Sequence, residues 1–389
     1  MRDAAGLEVT ADTDGLAAWQ AAVDAVCVAP GDAAAVFREA VDIAPDLAVL
    51  RALRASLART LDLGVDPRSE ATAAEQALDA GPVSAREAAL VTALVALVAG
   101  GPLAAAPSLA RYLDAYPGDT AAFFPASLAF EFCAIPGMHR ATTARADALV
   151  ANNPGDWRAL GLAAFPWSEA GRHDDAAQAI DTALAARPAN AHAAHARAHV
   201  HYETGRHEEG LAQTGAWMRG HPSVFSRSHL PWHLALHELA LGRGDDALNR
   251  VGSDIAVGEL ADAGPLLWRC RLAGVPGADP SPFAAAAARS ALALGLPMAF
   301  VPFNAALALA AAGDAEGLEA LAHRLSSDTR PGFADLVAPV ARGLGQLLLG
   351  EPAQAVRILE PLLPQLERIG GSNAQREVLT QTCALARLS

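Results

Sequence analysis

Ala170-Gly171-Arg172-His173-Asp174-Asp175 returns as Thr204-Gly205-Arg206-His207-Glu208-Glu209, the same order of glycine, arginine, histidine and two acids displaced by 34 residues. The register extends outward from this pair. Pro154, Pro188 and Pro222 keep the same interval. Looser copies occur at Gly242-Arg243-Gly244-Asp245-Asp246-Ala247, at Ala312-Gly313-Asp314 and at Gly350-Glu351-Pro352-Ala353-Gln354-Ala355. A fixed interval of this length is what a stacked array of one supersecondary unit leaves in a sequence.

Each copy reads as a helix, a tight turn and a second helix. Glycine supplies the turn, and the acidic pair opens the second helix, where carboxylates favour the positive end of the dipole. Asp174-Asp175, Glu208-Glu209 and Asp245-Asp246 are thereby explained as helix starts rather than metal ligands. An interval of 34 with a terminal proline is that of the tetratricopeptide repeat. The expected fold is all-α, a tetratricopeptide-like helix-turn-helix repeat solenoid closed around a central pocket. A single domain is expected over 1–389, with its most regular repeats at about 157–222 and a closing segment at about 336–389.

Composition agrees and narrows the function. Alanine, leucine, arginine and glutamate lose little on entering a helix, and no segment shows the period-two alternation of a strand. A net charge of -14 and a pI near 5.3 oppose a basic footprint for nucleic acid or an anionic membrane surface. The chain has no lysine, which removes the phosphate-binding lysine of a P-loop and the Schiff-base lysine of pyridoxal enzymes. Neither G-x-G-x-x-G nor G-x-S-x-G occurs. Cys27, Cys133, Cys270 and Cys383 are isolated and read as buried thiols of a reducing compartment. The first residues lack the apolar core of a signal peptide, so a cytoplasmic location is expected. Two uncharged stretches, Ala88 to Ala110 and Ser290 to Gly313, are interrupted by Gly100-Gly101-Pro102 and by Gly295, Pro297 and Pro302, and read as buried repeat helices.

Nine of the twelve histidines lie between His192 and His237. After Asn190, a candidate N-cap, a helix from near Ala191 carries His192, His195 and His199 on one stripe, with His201 on another face. A second helix from near Ser228, with Pro231 in its first turn, carries His229, Trp232, His233 and His237. Three readings of the cluster stay open. His195 with His199, and His229 with His233, have the i, i+4 spacing of a helical zinc pair, although no carboxylate or cysteine falls at an obvious position to complete or orient such a site. Hydrogen-bonded packing histidines are the second reading. The third is a small-molecule pocket in which imidazoles bind anions or move protons.

The run through His195, His199-Val200-His201 and Ser228-His229-Leu230-Pro231-Trp232-His233, and above all Gly370-Gly371-Ser372-Asn373-Ala374-Gln375-Arg376-Glu377, resembles the tetratricopeptide repeat protein 38 family. Gly6-Leu7-Glu8-Val9-Thr10 agrees with the family's N-terminal pattern, so the likeness covers nearly the whole chain. The resemblance implies that His192, His195, His199, His229 and Trp232 face the concave side together. Where the family often has a histidine this chain has Leu90, and where it has a His-Asp pair this chain has Ser127-Leu128. Those departures suggest an altered ligand and a divergent biosynthetic-enzyme branch. Ser372 and Gln375 read as a capping box; Asn373 and Arg376 beside a helix start read as an anion site or as part of the cap.

The expected function is a cofactor-independent enzyme acting on a small anionic or sulfated amine. His195, His199, His229 and His233 are its candidate acids and bases, while His192, Trp232, Ser372, Asn373 and Arg376 are its candidate substrate contacts. Displacement of sulfate by a neighbouring amine, closing an aziridine ring, fits that set. No metal, nucleic acid or membrane enters this reading. Two alternatives stand beside it: a scaffold whose concave groove binds a protein, peptide or small ligand, and a histidine-ligated metal site.

Overall fold

A computed structural model describes residues 1–227, 229–256, 259–278, 288–289 and 298–389. Among these residues every regular element is helical, with only isolated β-bridges beside them. The repeat motif of the sequence is a helix hairpin: Trp157–Glu169 with His173–Ala186, Ala191–Glu203 with His207–Gly220, and His229–Ala240 with Gly244–Ser253.

One turn closes all of these hairpins. Gly171, Gly205 and Gly242 sit at φ 75°, 71° and 74°, a region open to glycine at little cost. The backbone N–H of Arg172, Arg206 and Arg243 donates to the carbonyl five residues earlier, at Trp167, His201 and Glu238, at 2.9, 2.8 and 2.8 Å. The glycine N–H groups reach Ser168, Tyr202 and Leu239. Two otherwise orphaned carbonyls at each helix end are satisfied in this way. Gly313 and Gly350 repeat the pattern, as the looser sequence copies predict, and so does Gly274, where sequence reading found no copy. The acidic pairs lie in the first turns of the helices that follow. The chain is therefore an all-α array of tetratricopeptide-like helix-turn-helix units.

Local signals set the other helix ends. The Asn190 carboxamide accepts from the Ala193 N–H at 3.0 Å. Ser372 and Gln375 form the expected capping box on Asn373–Leu388. The N-cap expected at Ser228 lies outside the described residues, and the next helix runs from His229 with Pro231 in its first turn.

The chain, expected as one domain, divides into two compact units. The first holds Met1–Cys133, Gly137–Val200 and Trp217–Phe225, and the second Ala134–Pro136, His201–Ala216 and Ser226–Ser389. Trp19, Phe37, Phe123 and Phe130 are fully buried in the first unit, and Leu90 takes an ordinary core position there. In the second, Trp232, Leu236, Ile255, Leu266, Cys270 and Ala374 pack into one cluster. Among the described residues one helix, Ala85–Ala115, is long and apolar enough to cross a membrane. Gly101, at φ 73° and ψ -172°, breaks it, and Leu90, Val91, Leu94 and Leu109 are buried. In the second uncharged stretch, residues 290–297 lie outside the described set, while Phe300–Ala311 is a buried helix. All four cysteines are buried thiols outside any disulfide.

The caps are tightly fitted. A Cβ on Gly161 would come within 2.4 Å of the Asn190 Nδ2 and displace the side chain that caps Ala191–Glu203. Gly161→Ala is expected to destabilise the protein by about 1–3 kcal/mol, and Asn190→Ala by about 1 kcal/mol. Urea unfolding checks both, and unchanged midpoints would contradict this account of the helix start.

Candidate functional site

The helix Ala191–Glu203 places His192, His195 and His199 on the predicted stripe, and in the first unit they have different surroundings. His192 is buried, donates from Nε2 to the Val26 carbonyl at 2.8 Å, and packs edge-on against Phe124 and Phe225. Burial holds its pKa down at about 4, so the ring is neutral. The polar edge of His192 is thus taken up by a backbone carbonyl and its ring by two phenylalanines.

His195 and His199 instead turn their Nε2 atoms toward each other, 3.0 Å apart. His199 is fully buried, and its Nδ1 faces the Glu169 carboxylate at 3.6 Å. Phe165 packs against both rings, and Phe225 against His195.

In the second unit His229, Trp232 and His233 form a compact aromatic group on His229–Ala240. The His229 ring stacks on Trp232 with 10° between planes, and His233 stands edge-on to both. His229 Nδ1 lies 2.9 Å from the Asp262 carboxylate, whose side chain is 8% exposed. The sequence reading placed no carboxylate behind the histidines, whereas the fold places two, Glu169 and Asp262.

Arg269 lies on the same helix as Asp262, Leu260–Leu272, seven residues on and therefore on the same face. Its guanidinium carbon sits 5.9 Å from the centre of the Trp232 ring. One nitrogen, Nη2, donates to the Ala374 carbonyl at the start of the C-terminal helix. Its Nε and Nη1 have no partner, nor has the indole N–H of Trp232, although Arg269 is only 5% exposed and Trp232 fully buried. Burial pulls the Arg269 pKa down, opposed by nearby Tyr202 and Glu377. Tyr202 donates to Glu377 at 2.7 Å, and Glu203 is pushed up by burial and by the Glu377 charge.

The predicted anion contacts are used differently. Arg376 donates from Nη1 to the Gly371 carbonyl and from Nη2 to Asn373 at 2.7 Å, so it braces the turn before the last helix. Ser372 is engaged in the cap. Arg269, by contrast, is buried with two nitrogens that have no partner. Sequence reading missed Glu169, Asp262, Arg269, Tyr202 and Glu377. One signal was available for Asp262: it follows His229 by 33 residues, close to one repeat step, which puts the two on neighbouring equivalent helices.

A second histidine group, His201, His207 and His237, also lies in the second unit. His207 and His237 approach at 3.2 Å through their Nδ1 atoms, and burial with the two neighbouring imidazoles pulls His237 down to about 3. Gly210 leaves room for the His237 ring, which a Cβ there would meet at 2.3 Å.

No family model matches the sequence. Among solved structures, the chain is similar to a tetratricopeptide repeat protein from Parabacteroides merdae at 12% identity, over 87% of this chain and 99% of that one, with a TM-score of 0.38. Yeast Tom70 aligns at 12% identity over 97% and 89%, with a TM-score of 0.35. The human IFIT1 dimer with m7Gppp-AAAA aligns at 12% identity over 92% and 91%, with a TM-score of 0.39.

His192 gives a pH signature. Its folded pKa of about 4 lies below the ordinary value, so the unfolded chain binds the extra proton. Its contribution to stability is complete above about pH 6.5 and is lost as pH falls toward 4, with a limiting slope of about 1.4 kcal/mol per pH unit. Urea midpoints measured from pH 7 to pH 5 should show the loss. His192→Gln, which keeps a donor for the Val26 carbonyl, should flatten it; an unchanged slope would remove His192 as its source.

Proposed function

We propose that this chain is an enzyme without an organic cofactor, acting on a small amine that carries an anionic group, with its substrate bound in the second unit. One observation carries the reading: the buried Arg269 guanidinium and Trp232 indole hold unpartnered donors beside the His229–Asp262 pair. A buried donor without an acceptor costs about 1–3 kcal/mol, and an anion accepting from both groups removes that cost.

The chemistry follows from the donor set. Asp262 holds the proton of His229 on Nδ1, which makes Nε2 the basic nitrogen. Nε2 takes a proton from the substrate ammonium, and the freed amine attacks the neighbouring carbon that bears a sulfate or phosphate ester. A C–N bond forms, the C–O bond breaks, and the anion departs with its electron pair toward Arg269 and the indole N–H. With adjacent carbons the product is an aziridine. His233 supports the same face as a second imidazole, while Ser372, Asn373 and Arg376 hold the start of the C-terminal helix, whose Ala374 carbonyl positions Arg269. Kinship with the tetratricopeptide repeat protein 38 family is part of this proposal, on the Gly370 to Glu377 segment. So is a cytoplasmic location, to which four cysteines outside any disulfide are suited.

A scaffold role is the second reading, favoured by one observation. The first unit has an open cleft of about 590 Å³ lined by Val28, Pro30, Val36, Pro188, Arg187 and His221. Apolar residues around the Arg187–Asp24 pair, which also lines the cleft, suit an extended peptide.

The test is release of sulfate from 2-aminoethyl sulfate, followed by ion chromatography, with the ring product followed by mass spectrometry. Wild-type protein is expected to release sulfate, His229→Ala to lower kcat by about 10²–10⁴, and Arg269→Gln to raise KM for the anionic substrate. Absence of turnover, together with no thermal stabilisation by sulfate or phosphate, would overturn the proposal and leave the scaffold reading ahead.

A further inference from the structure

The His195–His199 pair of the first unit plays no part in that mechanism, and its geometry calls for a separate account. Both rings are fixed. Phe165 touches each of them, Phe225 closes on His195, and His199 has no exposed surface. The pair has i, i+4 spacing on one helix, and its two Nε2 atoms converge to 3.0 Å. Two nitrogens bound to one metal ion at about 2.0–2.1 Å stand about 2.9 Å apart at a right angle and about 3.4 Å apart in a tetrahedron. The observed spacing falls in that interval. Glu169 adds a third feature. Its carboxylate faces Nδ1 of His199, on the opposite side of the ring from the converging nitrogens, in a pocket where its own side chain is 5% exposed. A carboxylate on that side favours a proton on Nδ1, the tautomer that offers the Nε2 lone pair to a cation.

We propose that His195 and His199 anchor a divalent transition-metal ion through Nε2, with Glu169 as the residue that orients His199. The ion is of the class that imidazole selects, zinc, copper or nickel, rather than magnesium or calcium, which need oxygen ligands. Two imidazoles do not complete its coordination shell, so the ion takes further ligands beside this anchoring pair. The competing account is a plain hydrogen bond in which Nε2–H of His195 donates to the Nε2 lone pair of His199. Such a bond satisfies the metal-free state equally well, and it gives way when His195 moves its proton to Nδ1 and both lone pairs face the ion.

The experiment uses tag-free, full-length protein stripped with a chelator. Cu(II) is added to one equivalent for electron paramagnetic resonance, and Zn(II) is titrated in competition with a chromophoric chelator. The expected result is one bound ion whose copper spectrum carries nitrogen hyperfine structure from two or more imidazoles. His195→Ala, at a half-buried position, should abolish that signal. Glu169→Gln, with the helical circular dichroism unchanged, should weaken Zn(II) binding by about 10–100-fold. Metal binding unaffected in both variants, or a wild-type copper spectrum without imidazole nitrogens, would overturn the proposal. Arg269→Gln, which removes the anion contact of the proposed reaction and is no imidazole, separates the two ideas: impaired sulfate release with the copper signal retained leaves the metal proposal standing when the reaction proposal changes.

Discussion

The constraint on which the fold depends is the turn that ends the first helix of each hairpin. A helix leaves its last carbonyls without partners, and here a glycine with positive φ lets the chain reverse while two backbone N–H groups reach back to them. The geometry recurs at Gly171, Gly205, Gly242, Gly274, Gly313 and Gly350. After Gly171, Gly205, Gly242, Gly313 and Gly350 the second helix starts in the next few residues, and each such pair is short enough that its apolar faces must be buried against neighbouring pairs. Alanine at so many core positions, among them Ala163, Ala164, Ala196 and Ala235, lets these helices approach closely.

Against that regular background, the buried polar groups fall into two kinds. Arg86 in the first unit is surrounded: it donates to Asp119 at 2.6 Å, to the Tyr112 hydroxyl at 2.9 Å and to the Glu8 carbonyl at 3.1 Å. With the Glu87 carboxylate accepting from Thr10, it ties the N-terminal segment to the helix array. Arg269 in the second unit is as deeply buried and has one acceptor, the Ala374 carbonyl. Removing a guanidinium from water is costly unless its donors are met. The first arginine meets that requirement within the protein. The second meets it only in part, and its remaining donors lie against an indole with the same deficit. This asymmetry is the observation on which the proposed anion site rests.

The histidines divide on similar grounds. His192 is engaged with a carbonyl and two phenylalanines, so its polarity is consumed by packing. His199 and His229 each face a carboxylate through Nδ1, at 3.6 and 2.9 Å, which leaves Nε2 as the nitrogen directed elsewhere. Histidines that look alike in the sequence thus have different surroundings, set in part by Glu169 and Asp262, which stand 30 residues from His199 and 33 from His229 in the chain.

The sequence by itself determined what depends on near neighbours: the hairpins, their glycine turns, the acidic helix starts, the Asn190 cap, the Ser372–Gln375 box and the shared stripe of His192, His195 and His199. These follow from backbone hydrogen bonding and helical period, and both are encoded within a few residues. Tertiary structure alone decided which polar groups meet a partner. Whether Arg376 or Arg269 keeps free donors depends on where the Gly371 and Ala374 carbonyls fall, and whether a histidine packs or reacts depends on the side chain that a different helix presents. Burial makes those meetings energetically decisive, and burial is a property of the folded chain rather than of any local stretch of it.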